Sequence, residues 1–244
     1  EGTRLPADPS TVPPFQMTER ELLARFSEIV GEAEGLVYVQ MSPRDLERMA
    51  DMIAIAAEKG RKVAMEASHA VIWHTANREG LRILGGHPAL NAPIRIVDAT
   101  VTEGMPAPYE TVTLEEIAER KNEYLYFFKF PDLAHMIELE TLGGLQGRSH
   151  FIQSDYSVKI DHSDVAKFLK TFAITGHALS NGGHAHPEAL SDLIERIAPK
   201  TVITLHTRHP QSQNTRGIPA YFPAKGETVS VASLIKAAGG LNNG

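Results

Sequence analysis

Residues 36–65 read LVYVQMSPRDLERMADMIAIAAEKGRKVAM, and this stretch decides the fold. Leu36 to Val39 is a short apolar, β-branched run of strand length. Ser42 and Pro43 stand as N-cap and first residue of a helix that Gly60 closes. Val63 to Met65 supplies a second strand, so the stretch reads as strand, turn, helix, strand.

The alternation extends in both directions. Upstream, Thr18 and Glu21 form a capping box, and Leu22, Phe26, Ile29 and Val30 keep helical spacing to about Glu32. Downstream, the pattern predicts a helix from Ser68 to about Asn77 and a strand at Ile94 to Val97. A helix at Leu114 to Lys121 behind the Thr113/Glu116 capping box leads to a strand at Tyr124 to Phe130. Next come a helix at Leu133 to Glu140, a strand at His150 to Gln153, a helix at Asp164 to Lys170 and a strand at Phe172 to Thr175. Runs buried on both faces and separated by helices indicate an α/β fold with a doubly wound, mainly parallel sheet, whose ligands sit beyond the carboxyl ends of the strands.

The chain of 244 residues is long enough for one large α/β domain, or for a domain plus part of another. With 42% hydrophobic and 22% charged residues it lies far from the composition of disordered chains. It has no apolar run long enough to span a membrane and no signal segment, so the expectation is a cytoplasmic protein without a membrane partner. Cysteine is absent, which leaves any transition metal to imidazole and carboxylate, and 11 histidines are present. The formal charge of -6 means that a nucleic acid would have to be attracted by a local groove or a bound metal. Pro6, Pro9, Pro13 and Pro14 mark residues 5–17 as a linker. The opening residue, Glu1, is not methionine, and the expectation is an upstream segment that is missing or supplied separately.

From Gly176 the composition changes, with five histidines before Pro210. A helix at Pro187 to Ala198 carries Leu190, Leu193, Ile194 and Ile197 on one face. The strand Val202 to Leu205 then delivers His206 at its carboxyl end. A last strand at Thr228 to Val231 leads into a short helix ended by Gly239 and Gly240. A boundary is expected near residue 175.

His184 precedes the Pro187 helix and His206 follows a strand, so both could face one cleft, or each could simply cap its element. His-Ala-His-Pro-Glu, with His184 and His186, lacks a third histidine close by, and His186 also reads as a helix N-cap. His206 and His209 could chelate zinc from a strand end, but Pro210 and the polar run Gln211 to Arg216 favour a loop with His209 exposed. Gly176-His177 is a third candidate. Ser154 and the Gly183 backbone, both at turns, are candidates for phosphate contacts, although Ser154 could be only a turn residue. Ser42 reads as a structural cap. Tyr124, Tyr126, Phe127, Phe128 and Phe130 could stack on bases, but a buried strand explains them better.

The segment Gly183-His184-Ala185-His186-Pro187-Glu188-Ala189-Leu190, an amphipathic helix, Ala198-Pro199-Lys200, a β run and Leu205-His206-Thr207 resembles the close of the β-CASP branch of metallo-β-lactamase-fold hydrolases, which includes ribonuclease J. Leu36 to Val63, Phe151 to Tyr156 and Glu1-Gly2-Thr3 resemble other family segments, so the likeness covers nearly the whole chain.

The resemblance implies an end of metallo-β-lactamase segment and linker at 1–17, a β-CASP domain at 18–175, and the C-terminal part of the metallo-β-lactamase αββα domain at 176–244. It implies that His206 ligates one of two Zn2+ ions, that His184 protonates the leaving oxygen, and that Glu1 pairs with His184. A carboxylate beside an imidazole raises its pKa and fixes its tautomer, as a general acid near neutral pH requires.

The family's His-x-His-x-Asp-His motif is not found in these residues. The expected function is a zinc-dependent phosphodiesterase, a ribonuclease acting on RNA, inactive as this chain alone and needing an N-terminal metallo-β-lactamase segment as partner. The alternatives are an inactive β-CASP binding or assembly subunit, which could form a homo-oligomer, and a metallohydrolase of a non-nucleic-acid ester.

Overall fold

Strands and helices alternate along residues 5–8, 17–77, 84–100, 110–143, 147–154, 159–181 and 185–234, which the computed structural model describes. The order is α1 (Glu19–Glu32), β1 (Val37–Gln40), α2 (Leu46–Glu58), β2 (Lys62–Met65), α3 (Ala67–Asn77), β3 (Ile94–Val97), β4 (Glu110–Val112), α4 (Leu114–Glu119), β5 (Tyr124–Phe128), α5 (Leu133–Thr141), β6 (His150–Gln153), α6 (Ser163–Thr171) and β7 (Thr175–Ala178). These strands form one seven-stranded sheet in the order β4-β3-β2-β5-β1-β6-β7. Every pairing in it is parallel. The chain divides into two compact units, Met17–Gly182 and a second made of Gly183–Gly244 with Glu1–Gln16.

All residues of β1 and β5 are buried, as central strands covered on both faces must be. One face presents Val37, Val39, Met65, Phe127 and Ile152 to Phe26 of α1, Met49 and Ile53 of α2, and Trp73 of α3. The opposite face presents Tyr38, Tyr126, Phe128 and Phe151 to Ile117 of α4, Met136 and Leu139 of α5, and Phe168 of α6. Helices on both sides make the sheet doubly wound. Each large side chain removed from water contributes about 1.5–3 kcal/mol, so the two layers together dominate the stability of this unit.

Local chemistry sets most element ends. The Thr18/Glu21 capping box is formed, and Thr113 Oγ1 accepts from Glu116 N-H. Gly60, at φ +74°, closes α2 in a backbone conformation that costs glycine little.

Several expectations are corrected. α2 begins at Leu46 rather than Pro43, because residues 43 and 44 form a turn in which the Ser42 carbonyl accepts from Asp45 N-H at 3.2 Å. β5 stops at Phe128. β7 occupies 175–178 rather than 172–175, since Phe172 still caps α6 and Ala173 turns the chain at φ 52°. Because β7 pairs with β6, the sheet unit runs past the boundary expected near residue 175. The short edge strand β4 has no counterpart in the sequence reading.

A carboxylate sits inside the second apolar layer. Glu140 is fully buried, and its Oε1 accepts from the Tyr38 hydroxyl and the Ser149 hydroxyl, each at 2.8 Å. Its Oε2 lies 3.6 Å from the Lys121 ammonium, which is 1% exposed. Removing one partner of such a pair strands the other charge. Glu140→Ala should therefore lower unfolding free energy by about 3–5 kcal/mol in urea titration.

His69, also fully buried, donates from Nε2 to the Met41 carbonyl at 3.1 Å, and burial pushes its pKa down from 6.5 to about 4. The native imidazole stays neutral where the unfolded one takes up a proton. Stability is thus retained above pH 6.5 and lost as the pH falls towards 4, by about 3 kcal/mol in all. His69→Gln should remove that share of the acid destabilisation in urea titrations run across this window.

The second unit contains α7 (Pro187–Ile197), β8 (Val202–Ile203) and β9 (Ala220–Tyr221), with β8 and β9 paired in parallel. The His186 side chain accepts from Glu188 N-H at 3.3 Å and so caps α7. The apolar stripe of α7 is only partly covered by the described residues: Leu190 and Ile194 are half-buried, Leu193 is 49% and Ile197 63% exposed, and Ile203 and Leu205 are exposed as well. Among the described residues of this unit, Leu5 and Leu234 are the buried hydrophobics. The strand expected at Thr228 to Val231 is not formed; Val231 begins a helical turn instead, while Gly239 and Gly240 lie outside the described residues.

Candidate functional site

β8 is shorter than its sequence suggests: its pairing with β9 ends at Ile203, and His206 takes a left-handed backbone, φ 58°. That conformation costs a non-glycine residue about 1–2 kcal/mol, and strain of this kind collects at functional positions. His206 opens onto a cavity of about 540 Å³ lined by Leu5, Thr207, Arg208 and His209 as well. The Thr207 hydroxyl accepts from His209 N-H at 3.1 Å, which holds the turn entering the 3-10 segment Pro210–Ser212. His209, expected on an exposed loop, is half-buried and shares the cavity wall with His206. Arg208 carried no signal in the sequence.

Ser154, the phosphate-binding candidate of the sheet unit, stands at the carboxyl end of β6 and is 3% exposed. Its N-H does not point outward, because it continues the ladder to the Gln40 carbonyl at 2.8 Å. Only the hydroxyl is available, and it has no hydrogen-bond partner among the described residues. The Ser154 carbonyl accepts from Arg48 at 3.3 Å, and Arg48 grips Glu19 with two bonds of 2.6 Å while donating to Asn181 at 2.7 Å. The Arg48 guanidinium holds the Glu19 carboxyl below its usual range. This cation is matched by a carboxylate, so it braces the strand ends.

Ser42 accepts a long bond from Arg44 N-H, 3.4 Å, and caps no helix. Of the aromatic run, Tyr124, Tyr126, Phe127 and Phe128 are buried in β5 while Phe130 is exposed, with the Lys129 ammonium 4.8 Å from its ring centre. His177 lies on edge strand β7 and bonds His150 of β6, Nε2 to Nδ1, at 2.9 Å. Their planes differ by 4°, and burial pushes both pKa values down. This imidazole is thus committed to a cross-strand bond. Glu1, Gly183 and His184 lie outside the described residues.

A zinc site needs three or four donors. Among the described residues no three His, Asp or Glu side chains form such a group. His206 and His209 fit as part of a donor set and no more. No described helix is long and apolar enough to cross a membrane.

The architecture defines an α/β protein with a mostly parallel seven-stranded sheet flanked by helices. No protein-family profile matches the sequence, and no curated protein does either. In fold, the chain is similar to a crystal structure of a protein of unknown function from Enterococcus faecalis V583, with a TM-score of 0.65 and 20% sequence identity. That likeness covers 91% of this chain and 49% of the other, so this chain spans about half the length of that protein. It shows a shared fold.

The strain at His206 has a direct consequence. His206→Gly should raise stability by about 1 kcal/mol, or on the order of 2–4 °C in Tm. Thermal unfolding measures it; a destabilised variant would mean that the imidazole contributes more to folding than its backbone costs.

Proposed function

We propose that this chain is the β-CASP and C-terminal catalytic portion of a zinc-dependent phosphodiesterase, with RNA as the substrate. The observation that carries the reading is the placement of His206, a strained residue just past a strand, facing a cavity that a second imidazole and a guanidinium also line. The division of the chain agrees with it, because the sheet unit falls in sequence between the two parts of the other unit, as an inserted domain would.

In this reading His206 donates one imidazole to zinc, which, when bound, activates water and clamps phosphate oxygens. His184 protonates the leaving oxygen and Glu1 sets its tautomer. The Ser154 hydroxyl, rather than its N-H, donates the contact to a phosphate oxygen. The uncovered stripe of Leu193, Ile197, Ile203 and Leu205 supports a further layer of the catalytic domain, supplied by a segment bearing the missing metal motif. The same apolar face also favours a second reading, an assembly subunit that docks on an active partner.

Co-expression with a segment carrying His-x-His-x-Asp-His separates the two. The nuclease reading expects a complex that holds two zinc ions by elemental analysis and cleaves labelled RNA. His206→Ala in that complex should lose zinc and reduce cleavage on the order of 100-fold. A zinc-loaded complex that cleaves neither RNA nor DNA overturns it, and a stable complex that takes up no zinc supports the assembly subunit.

A further inference from the structure

The cavity beside His206 is electrostatically unlike the rest of this acidic chain. Its polar lining brings Arg208 together with the imidazoles of His206 and His209, and among the described residues that line it there is no carboxylate. The contrast with Arg216 in the same unit is informative. Arg216 is surrounded by Glu188, Asp192 and Glu195 on α7, the last at 3.7 Å, so its charge is spent within the protein. Arg208 has no ion pair or hydrogen bond of that kind among the described residues.

The backbone keeps these side chains on one wall. His206 is fixed in the left-handed region, the Thr207 hydroxyl takes the His209 N-H, and His209 precedes the 3-10 turn without using its imidazole as a cap. A planar guanidinium with five N-H donors suits tetrahedral oxyanions, and an imidazole beside it adds a directional donor.

We propose that Arg208 and His209 form an anion subsite for a phosphate group next to His206. The inference deepens the phosphodiesterase reading by assigning the phosphate contacts in this unit, and it rests on that reading only for the identity of the natural ligand. Arg208 supplies the charge and a forked pair of donors, and His209 supplies a second direction of approach. The shared chemistry is that of a phosphomonoester or phosphodiester oxyanion.

The test uses the whole chain and inorganic phosphate as probe, with binding followed by calorimetry at low ionic strength. Arg208→Gln should weaken phosphate binding on the order of ten-fold or more, and His209→Asn should weaken it less. Lys200→Gln, a charge change outside the cavity lining, should leave it unchanged. Wild-type protein that binds no phosphate, or Arg208→Gln protein that binds it as well as wild type, overturns the subsite. Loss of binding in Arg208→Gln together with a zinc-loaded complex that cleaves no nucleic acid would keep the subsite and remove the nuclease reading.

Discussion

The organisation of residues 17–182 depends on the complete burial of strand β1. Val37 to Gln40 are hydrogen-bonded to β5 on one side and β6 on the other, and no residue of the strand reaches solvent. An extended chain of this kind must be roofed on both faces, and parallel neighbours require crossover helices to do it. α1, α2 and α3 cover the Val37 and Val39 face, while α4, α5 and α6 cover the Tyr38 face. Glu140 enters the second layer as one half of a buried pair with Lys121, and it is tolerated because the Tyr38 and Ser149 hydroxyls and the Lys121 ammonium surround it.

The second unit shows what happens when the same requirement is not met by the described residues. α7 has the apolar stripe of a core helix, yet the residue it buries is Ser191. Leu193 and Ile197 are exposed, as are Ile203 and Leu205, while Leu190 and Ile194 are half-buried. A stripe that would be worth several kcal/mol when covered is here partly open to solvent among the described residues. Both readings of the function therefore require a second surface to complete this unit.

Much of the first unit was legible because its signals are local. Thr18 with Glu21 and Thr113 with Glu116 mark helix starts by side-chain bonds that span a few residues. The β-branched and aromatic runs mark strands through burial on both faces. Where the sequence misled, a competing local arrangement won. Ser42-Pro43 has the residue types of a helix start, but the turn that follows delays α2 to Leu46. Phe172 to Thr175 has strand composition, but α6 continues to Thr171 and the chain must turn at Ala173 before β7 can pair with β6. β4, only three residues long and mostly exposed, has too few apolar positions to give a period.

The candidate site was legible in only one respect, that a histidine stands at the end of the β8 run. The neighbourhood of His206 depends on a backbone torsion, and composition does not encode it. If Leu205-His206-Thr207 continued as a strand, alternation would send His206 and Thr207 to opposite faces and would carry Arg208 back to the His206 side. The left-handed turn at His206 breaks that alternation, and the Thr207 bond to His209 N-H closes the following turn. Together they gather His206, Arg208 and His209 onto one wall. A polar run beginning at a proline looks like an exposed loop because the same residues that make loops also make 3-10 turns. The residue that distinguishes the two is Thr207, whose hydroxyl was available to take a backbone N-H, and its effect is visible only once the turn is formed.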